Sequence, residues 1–237
     1  MLGLTELHLG RPDAGAGWIR NALAQAEKMQ CPYNLSSARE LAAIYWATAG
    51  ERDLALEQAR ATEAIASEHE FVIHAAVATI IRGWAERDLT VLREGVAQYE
   101  GAGQYVASSF FHALLVEGLL EQDQLQDALD ELIVVEAFVE RSGERRHLPE
   151  LHRLEGECLR GRDGRAAGAR FETAISVARE QGARLWELRA ATSLASLRAA
   201  DGERNTARHL VDAAMDGFDD GCDLPDVRRA RAQRAAL

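Results

Sequence analysis

The sequence is poor in the residues that build strands, membrane segments and disulfide frameworks. Aromatic residues make up only 6% of the 237 residues, and the chain has four prolines and three cysteines, without any Cys-x-x-Cys pair. β-Branched runs bounded by turn residues are scarce. No apolar run approaches the roughly 18 residues of a membrane-spanning helix, and the first residues lack the pattern of a signal peptide. These absences argue against a sheet protein or a membrane partner, and we expect a soluble, cytoplasmic chain.

The charge balance is acidic. Thirty-eight acidic residues face 27 basic ones, which gives a formal net charge of -11, and a single basic residue, Lys28, is a lysine. A phosphate backbone would be repelled by this field on average. We therefore expect no nucleic-acid partner.

Motifs for catalysis, metal binding and phosphate binding are also missing. The only lysine follows no glycine-rich loop, and no Gly-x-Ser-x-Gly is present. The stretch HEFVIH, His69 to His74, comes closest to a zinc motif, but its histidines are five residues apart, about 140° around a helix, where HExxH needs four. We expect a surface or hinge pair there. The sequence predicts no cofactor, no metal and no catalytic residue.

What the chain does contain is alanine-rich helical periodicity. Three segments spaced 34 and 35 residues apart carry apolar or small residues at the same offsets of 0, 3, 4, 7 and 8, which is the buried stripe of a helix. They are Ala38, Leu41, Ala42, Tyr45, Trp46; Val72, Ala75, Ala76, Thr79, Ile80; and Ala107, Phe110, Phe111, Leu114, Leu115.

A second set of helices follows these first ones. Its core positions recur at steps of 33, 37, 36, 39 and 40 residues, a spacing typical of stacked helical hairpins. The positions are Ala26, Ala59, Val96, Leu132, Phe171 and Val211. Gly50 and Gly202 fall where one helix of a hairpin should stop and the next begin. No proline interrupts a periodic segment.

These patterns predict an all-α fold, a tetratricopeptide-like solenoid of helical hairpins with about five to six repeats. We expect one domain over residues 1–237, with a partial first repeat at 1–30 and a C-terminal capping helix at 224–237. The predicted helix pairs lie near 34–69, 71–101, 104–143, 147–181 and 183–219. Because residues 1–10 are too few for a full first helix, the array is expected to begin inside a repeat.

A narrower resemblance begins at PELHRLEGECL, Pro149 to Leu159, and continues through RFETAISVAREQGARLWELRAATSLASL to FDDGCDLPDVRRARAQRAAL. It covers roughly residues 104–237. This region resembles the C-terminal helical repeats of large bacterial signalling proteins that join a nucleotide cyclase or regulatory domain to an ATPase. It departs from them at Cys222, where such proteins carry an aromatic residue. The resemblance implies a scaffold or sensing arm, since the catalytic parts of those proteins lie upstream.

Three functions follow as expectations. The first is a non-catalytic interaction or sensing scaffold, the C-terminal arm of a signalling ATPase or cyclase-type regulator, whose partner is a protein or the upstream domains of the same polypeptide. The second is a stand-alone adaptor that binds a peptide. The third is an enzyme with an unrecognised site near Arg153, in a segment from Arg141 to Arg170 where eight arginines face five carboxylates. A solvated face, with arginines at helix ends that offset the helix dipole, is the favoured explanation of that excess.

A second apolar line on the first helices predicts where a partner would bind. This line lies on a different face of the helices from the buried stripes. In the later repeats, charged residues occupy the corresponding positions. We expect a groove that is apolar at one end and charged at the other, suited to an amphipathic helix. The alternative is that its apolar residues pack inside neighbouring hairpins. The groove residues are Ile44, Val77, Ile81, Trp84, Glu117, Arg153, Glu157 and Arg189.

Overall fold

The computed structural model describes all 237 residues, of which 81% are helical, and it contains no strand. The prediction of an all-α chain is confirmed. The thirteen helices, in chain order, are α1 (Leu2–His8), α2 (Pro12–Met29), α3 (Pro32–Ala49), α4 (Arg52–Glu68), α5 (Val72–Glu86), α6 (Leu89–Gly101), α7 (Ser108–Glu121), α8 (Leu125–Ser142), α9 (Leu148–Leu159), α10 (Gly164–Gln181), α11 (Arg184–Ala200), α12 (Arg204–Met215) and α13 (Pro225–Ala236).

Helix ends follow the expected turn chemistry. Gly50 and Gly202 adopt left-handed backbone angles, with φ of 79° and 86°, at the two predicted stops. Asp88 caps α6 by accepting hydrogen bonds from the backbone N–H groups of Thr90 and Val91. Five residues other than glycine also take positive φ at turns, and they are Gln30, Glu70, Arg87, Ala107 and Asp123.

Helix packing divides the chain into two compact units, whereas the sequence predicts a single array over residues 1–237. Unit 1 comprises Met1–Leu7 and Pro12–Gly118, and unit 2 comprises His8–Arg11 and Leu119–Leu237. The N-terminal part of unit 1, predicted as a partial repeat, contains the seven-residue α1 and the long α2.

In unit 1, α2 packs on α3, α3 on α4, α4 on α5 and α5 on α6, and α3 also packs on α5. Small residues bring these helices close together. A side chain at Gly83 of α5 would collide with the backbone nitrogen of Leu92, and one at Gly95 of α6 would approach the backbone nitrogen of Ile80 to 2.6 Å. Adjacent helices therefore make backbone contact at two reciprocal points.

In unit 2, α9 packs on α10, α10 on α11 and α11 on α12, while α9, α11 and α13 also form a row of their own. Phe171 of α10 is fully buried and fills the space that Gly156 of α9 leaves open. The six second-helix core positions predicted by the repeat, which span both units, are all buried, as expected. The first-helix stripes are less uniformly buried. Val72, the first residue of α5, is 64% exposed, and Leu41, Trp46, Ala75 and Ala107 are half-buried.

No helix combines the length and apolar character that crossing a bilayer requires.

Candidate protein-binding surfaces

The apolar end of the predicted groove is closed. Val77, Ile81 and Trp84 of α5 are buried, and Ile44 of α3 is half-buried. Their side chains fill the interior of unit 1. This is the alternative given above, in which these residues pack inside neighbouring hairpins. The expectation that they present an apolar surface to a partner is corrected accordingly.

Trp84 is held by polar contacts from two neighbouring helices. Its indole N–H donates a hydrogen bond of 3.1 Å to the carboxylate of Glu117 on α7. The guanidinium of Arg52 on α4 stacks over the indole at 4.3 Å from the ring centroid and lies 3.8 Å from the same carboxylate. Arg52 also donates to the backbone carbonyl of Trp84. Glu117, predicted to bind a partner, therefore belongs to an internal contact among α4, α5 and α7.

The charged residues that were predicted to line the other end of the groove also form ion pairs within unit 2. Arg153 of α9 forms a two-bond pair with Glu150, at 2.7 and 2.9 Å. Arg189 of α11 reaches Glu150 at 3.4 Å and Asp226 of α13 at 2.7 Å. Both carboxylates are buried. These residues connect α9, α11 and α13 by ion pairs.

The protonation of Glu150 follows from these partners. Burial alone would raise its pKa, but the charges of Arg153 and Arg189 and their hydrogen bonds lower the pKa to about 2. Glu150 is therefore ionised across the whole physiological range, and the row of ion pairs stays formed.

Glu157 connects α9 to α11 in a second place. Its carboxylate accepts two hydrogen bonds from Arg160, at 2.7 and 3.0 Å, and one from the hydroxyl of Ser193, at 2.6 Å. Arg160 also donates to the backbone carbonyl of Ser193 at 3.0 Å. Four of the predicted site residues, Glu117, Arg153, Glu157 and Arg189, thus act as supports between helices. Arg153, the centre of the alternative enzymatic site, is engaged by the carboxylates of Glu150 and Glu157.

An exposed apolar surface lies elsewhere, at the turns that join one helix pair of unit 1 to the next. We call it the junction edge and define it as Met29, Tyr33, Phe71, Val72 and Ile73. Four of these side chains are large and exposed, from 38% for Ile73 to 64% for Val72, with Tyr33 at 55% and Met29 at 63%.

An aromatic contact joins the two turns of the junction edge. The rings of Tyr33 and Phe71 meet edge to face with 5.4 Å between centroids. Each also contacts or neighbours a polar residue of its own turn: Phe71 stacks on His69 at 5.5 Å, and the side-chain amide of Asn34, next to Tyr33, reaches the sulfur of Met29 at 3.6 Å. The Tyr33–Phe71 contact therefore connects the α2–α3 and α4–α5 turns into one edge.

The local sequence explains why these residues point outwards. Glu70 adopts a left-handed conformation with φ of 57°, and the N–H of Phe71 bonds the carbonyl of Ala66 at 2.9 Å, which closes α4 with a Schellman turn. Gln30 takes the same conformation with φ of 50° after α2. Each turn places the next two or three residues on its outer side, before the buried face of the following helix begins.

Sequence reasoning missed this edge because periodicity assigned Val72 to the buried stripe of α5. The predicted stripe is buried from Ala76 onwards, where neighbouring helices cover α5. The signal that could have located the edge is the consecutive run Phe71-Val72-Ile73, which is too apolar for an exposed turn and too short for a core helix.

No group of three histidine, cysteine or carboxylate residues is arranged to hold a metal ion. The chain matches none of the known protein families, and no curated protein is significantly similar to it.

Proposed function

We propose that this chain is a tetratricopeptide-like scaffold that binds a segment of another protein and performs no chemistry itself. The observation that carries this proposal is the junction edge, a contiguous apolar patch exposed on a helical framework. Patches of this kind are typical of protein-binding surfaces. The helix pairs of unit 1 offer a rigid support for it, because α3, α4 and α5 pack closely behind the edge.

The charge arrangement of unit 2 supports a framework role as well. Its most deeply placed carboxylates, Glu150 and Asp226, are both neutralised by Arg189 of α11, and Glu150 is also paired with Arg153 of its own helix. A catalytic acid or base needs a pKa near the working pH and access to a substrate. Glu150 has neither, since it is buried and its pKa is held near 2.

The resemblance of residues 104–237 to the C-terminal repeats of signalling proteins extends the proposal. On this basis, the chain serves as a sensing or docking arm of an ATPase- or cyclase-type regulator in the cytoplasm, and its partner is either a separate protein or another domain of the same polypeptide. A stand-alone adaptor would use the same surface. Both versions predict binding of a polypeptide segment.

The proposal is tested by selecting binders from a random peptide display library on the immobilised full-length chain. Calorimetry on the purified chain then measures the affinity of each enriched peptide. We expect saturable binding with a Kd in the micromolar range, about 8 kcal/mol of binding free energy. A selection that enriches no sequence, or peptides without saturable binding, would contradict a scaffold that recognises polypeptide segments.

A further inference from the structure

We propose that the junction edge binds a short amphipathic segment of a partner protein with apolar side chains on one side and lysine or arginine on the other. This inference rests on the proposed scaffold function and adds the location of the site and the chemistry of the partner. The apolar requirement follows from the exposed surface of Met29, Tyr33, Val72 and Ile73.

The requirement for lysine or arginine in the partner follows from the charges around the junction edge. Glu70 directly precedes Phe71, and Glu68 lies three residues before it. Both are exposed, and neither forms an ion pair. Lys28 is the one nearby lysine. Unit 1 as a whole contains fifteen acidic and eight basic residues, a formal charge of -7. Lysine or arginine beside the apolar contacts of a partner would meet unpaired carboxylates.

Helix dipoles do not reverse this preference. The N-termini of α3 and α5 bring partial positive charge to the edge, but the C-termini of α2 and α4 lie at the same two turns. The two contributions offset each other, which leaves the carboxylates of Glu68 and Glu70 as the dominant local charge.

The same charges argue against a second copy of the chain as the occupant. Two junction edges brought face to face would place Glu68 and Glu70 of each copy against like charges, a costly arrangement at an interface. A partner with basic residues removes this cost. The edge is also ordered before binding, because backbone hydrogen bonds already close the turn at Phe71 and the helix end at Gln30.

The test uses two synthetic helical peptides that share one leucine pattern, with lysine at the remaining positions of one and glutamate in the other. Fluorescence anisotropy measures their binding to the full chain. We expect the Leu–Lys peptide to bind at least about tenfold more tightly than the Leu–Glu peptide, a difference of about 1.4 kcal/mol.

Val72→Glu separates apolar docking from simple charge attraction. The substitution adds a negative charge, so a peptide held by charge alone would bind more tightly to it. A peptide docked on the edge loses an apolar contact instead, and we expect its affinity to fall by about fivefold or more. The matched control is Ile133→Glu on α8, because Ile133 is equally exposed, at 66%, and lies in unit 2. Binding to this control should stay within about twofold of the original chain.

The outcomes distinguish this inference from the scaffold function. If the Leu–Lys peptide binds the original chain and the Val72→Glu variant equally, or if Ile133→Glu weakens it as much, the edge is not the site, although the display selection can still support a scaffold. If neither peptide binds while display enriches other sequences, the proposal that the partner carries lysine or arginine beside its apolar contacts is wrong. Sedimentation that shows a dimer of the original chain and a monomer of Val72→Glu would identify a second copy as the occupant and overturn the proposal.

Discussion

Single residues in strained backbone conformations connect the local sequence of unit 1 to its exposed surface. Glu70 is the clearest case, because a side chain at φ of 57° costs about 1 kcal/mol that glycine would not. The position is a functional candidate since it sets the direction in which Phe71, Val72 and Ile73 leave the turn.

We predict that Glu70→Gly raises the free energy of unfolding by about 0.5–1 kcal/mol, because glycine relieves the left-handed strain. Glu70→Gln controls for the loss of charge and should leave the stability nearly unchanged. Ala64→Gly, at an exposed position inside α4, should lower it by about 1 kcal/mol. Urea unfolding followed by circular dichroism measures all three. A loss of stability in Glu70→Gly would contradict the turn as described.

Two histidines, the half-buried His8 and the buried His147, give unit 2 a defined response to acid. The ring of His8 lies 5.3 Å from Trp186 and 6.1 Å from His147, and its Nε2 atom is buried without a partner. Burial, and then the charges of Arg146 and Arg189, lower the pKa of His8 to about 4. Burial also lowers the pKa of His147, which is further depressed by His8 and Arg146 and opposed by Glu150.

Because both histidines bind protons more weakly in the folded chain, their contribution to stability is present above pH 6.5 and is lost as the pH falls towards 4. At pH 5, we expect His8 alone to cost about 2 kcal/mol relative to pH 7.5. Glu150 acts in a separate window, since its lowered pKa removes stability only as the pH falls from 4.5 to about 2.

Urea unfolding at pH 7.5, 6 and 5 checks this prediction. His8→Gln should flatten the dependence of the unfolding midpoint on pH, whereas His209→Gln, at an exposed position of α12, should not. A His8 imidazole that titrates near pH 6.5 in nuclear magnetic resonance spectra would contradict the buried cluster.

At the scale of helices, close approach through glycine decides how α5 and α6 pack. We predict that Gly83→Ala and Gly95→Ala each destabilise the chain by about 1–3 kcal/mol, because the new methyl group meets backbone atoms that cannot move aside. The control is Gly17→Ala in α2, which has open space around it. It should be stabilising by about 0.5–1 kcal/mol through helix propensity. Thermal unfolding midpoints would measure this, and equal effects at all three glycines would refute the contact.

The ion pairs of α9, α11 and α13 make a second prediction at this scale. Arg189→Met removes a partner from both Glu150 and Asp226, so we expect a loss of about 3 kcal/mol. Arg60→Met breaks the exposed pair with Glu86 and should cost less than about 1 kcal/mol. Urea unfolding of the two variants side by side provides the comparison. Equal costs would show that the buried row is no more important than a surface pair.

Helices were the most predictable elements because each one repeats its buried positions over several turns. Ala59, Phe171 and Val211 were assigned to the core from spacing alone, and all three are fully buried. The ends were harder to predict. Periodicity does not report where a neighbouring helix stops covering a surface, so Val72 was assigned to the core although it is exposed.

For the molecule as a whole, the sequence predicted the helical architecture better than the binding surface. Trp84 was expected to face a partner because its helix is apolar on nearly every side, yet a helix with two close neighbours needs such a pattern for packing alone. Arg153 and Arg189 were expected to bind a partner because they are charged. Their carboxylate partners lie on other helices or one turn away, and spacing within a single helix does not show this.

Recognition of a polypeptide segment at the junction edge is the basis of the proposed function. Amide hydrogen exchange of the full chain, with and without the Leu–Lys peptide, locates the binding surface without any substitution. We predict slower exchange confined to residues 29–35 and 68–75, with no change in α9 and α11, and weaker protection in the Val72→Glu variant at the same peptide concentration. Protection centred on α9 and α11, or spread evenly over both units, would contradict the claim.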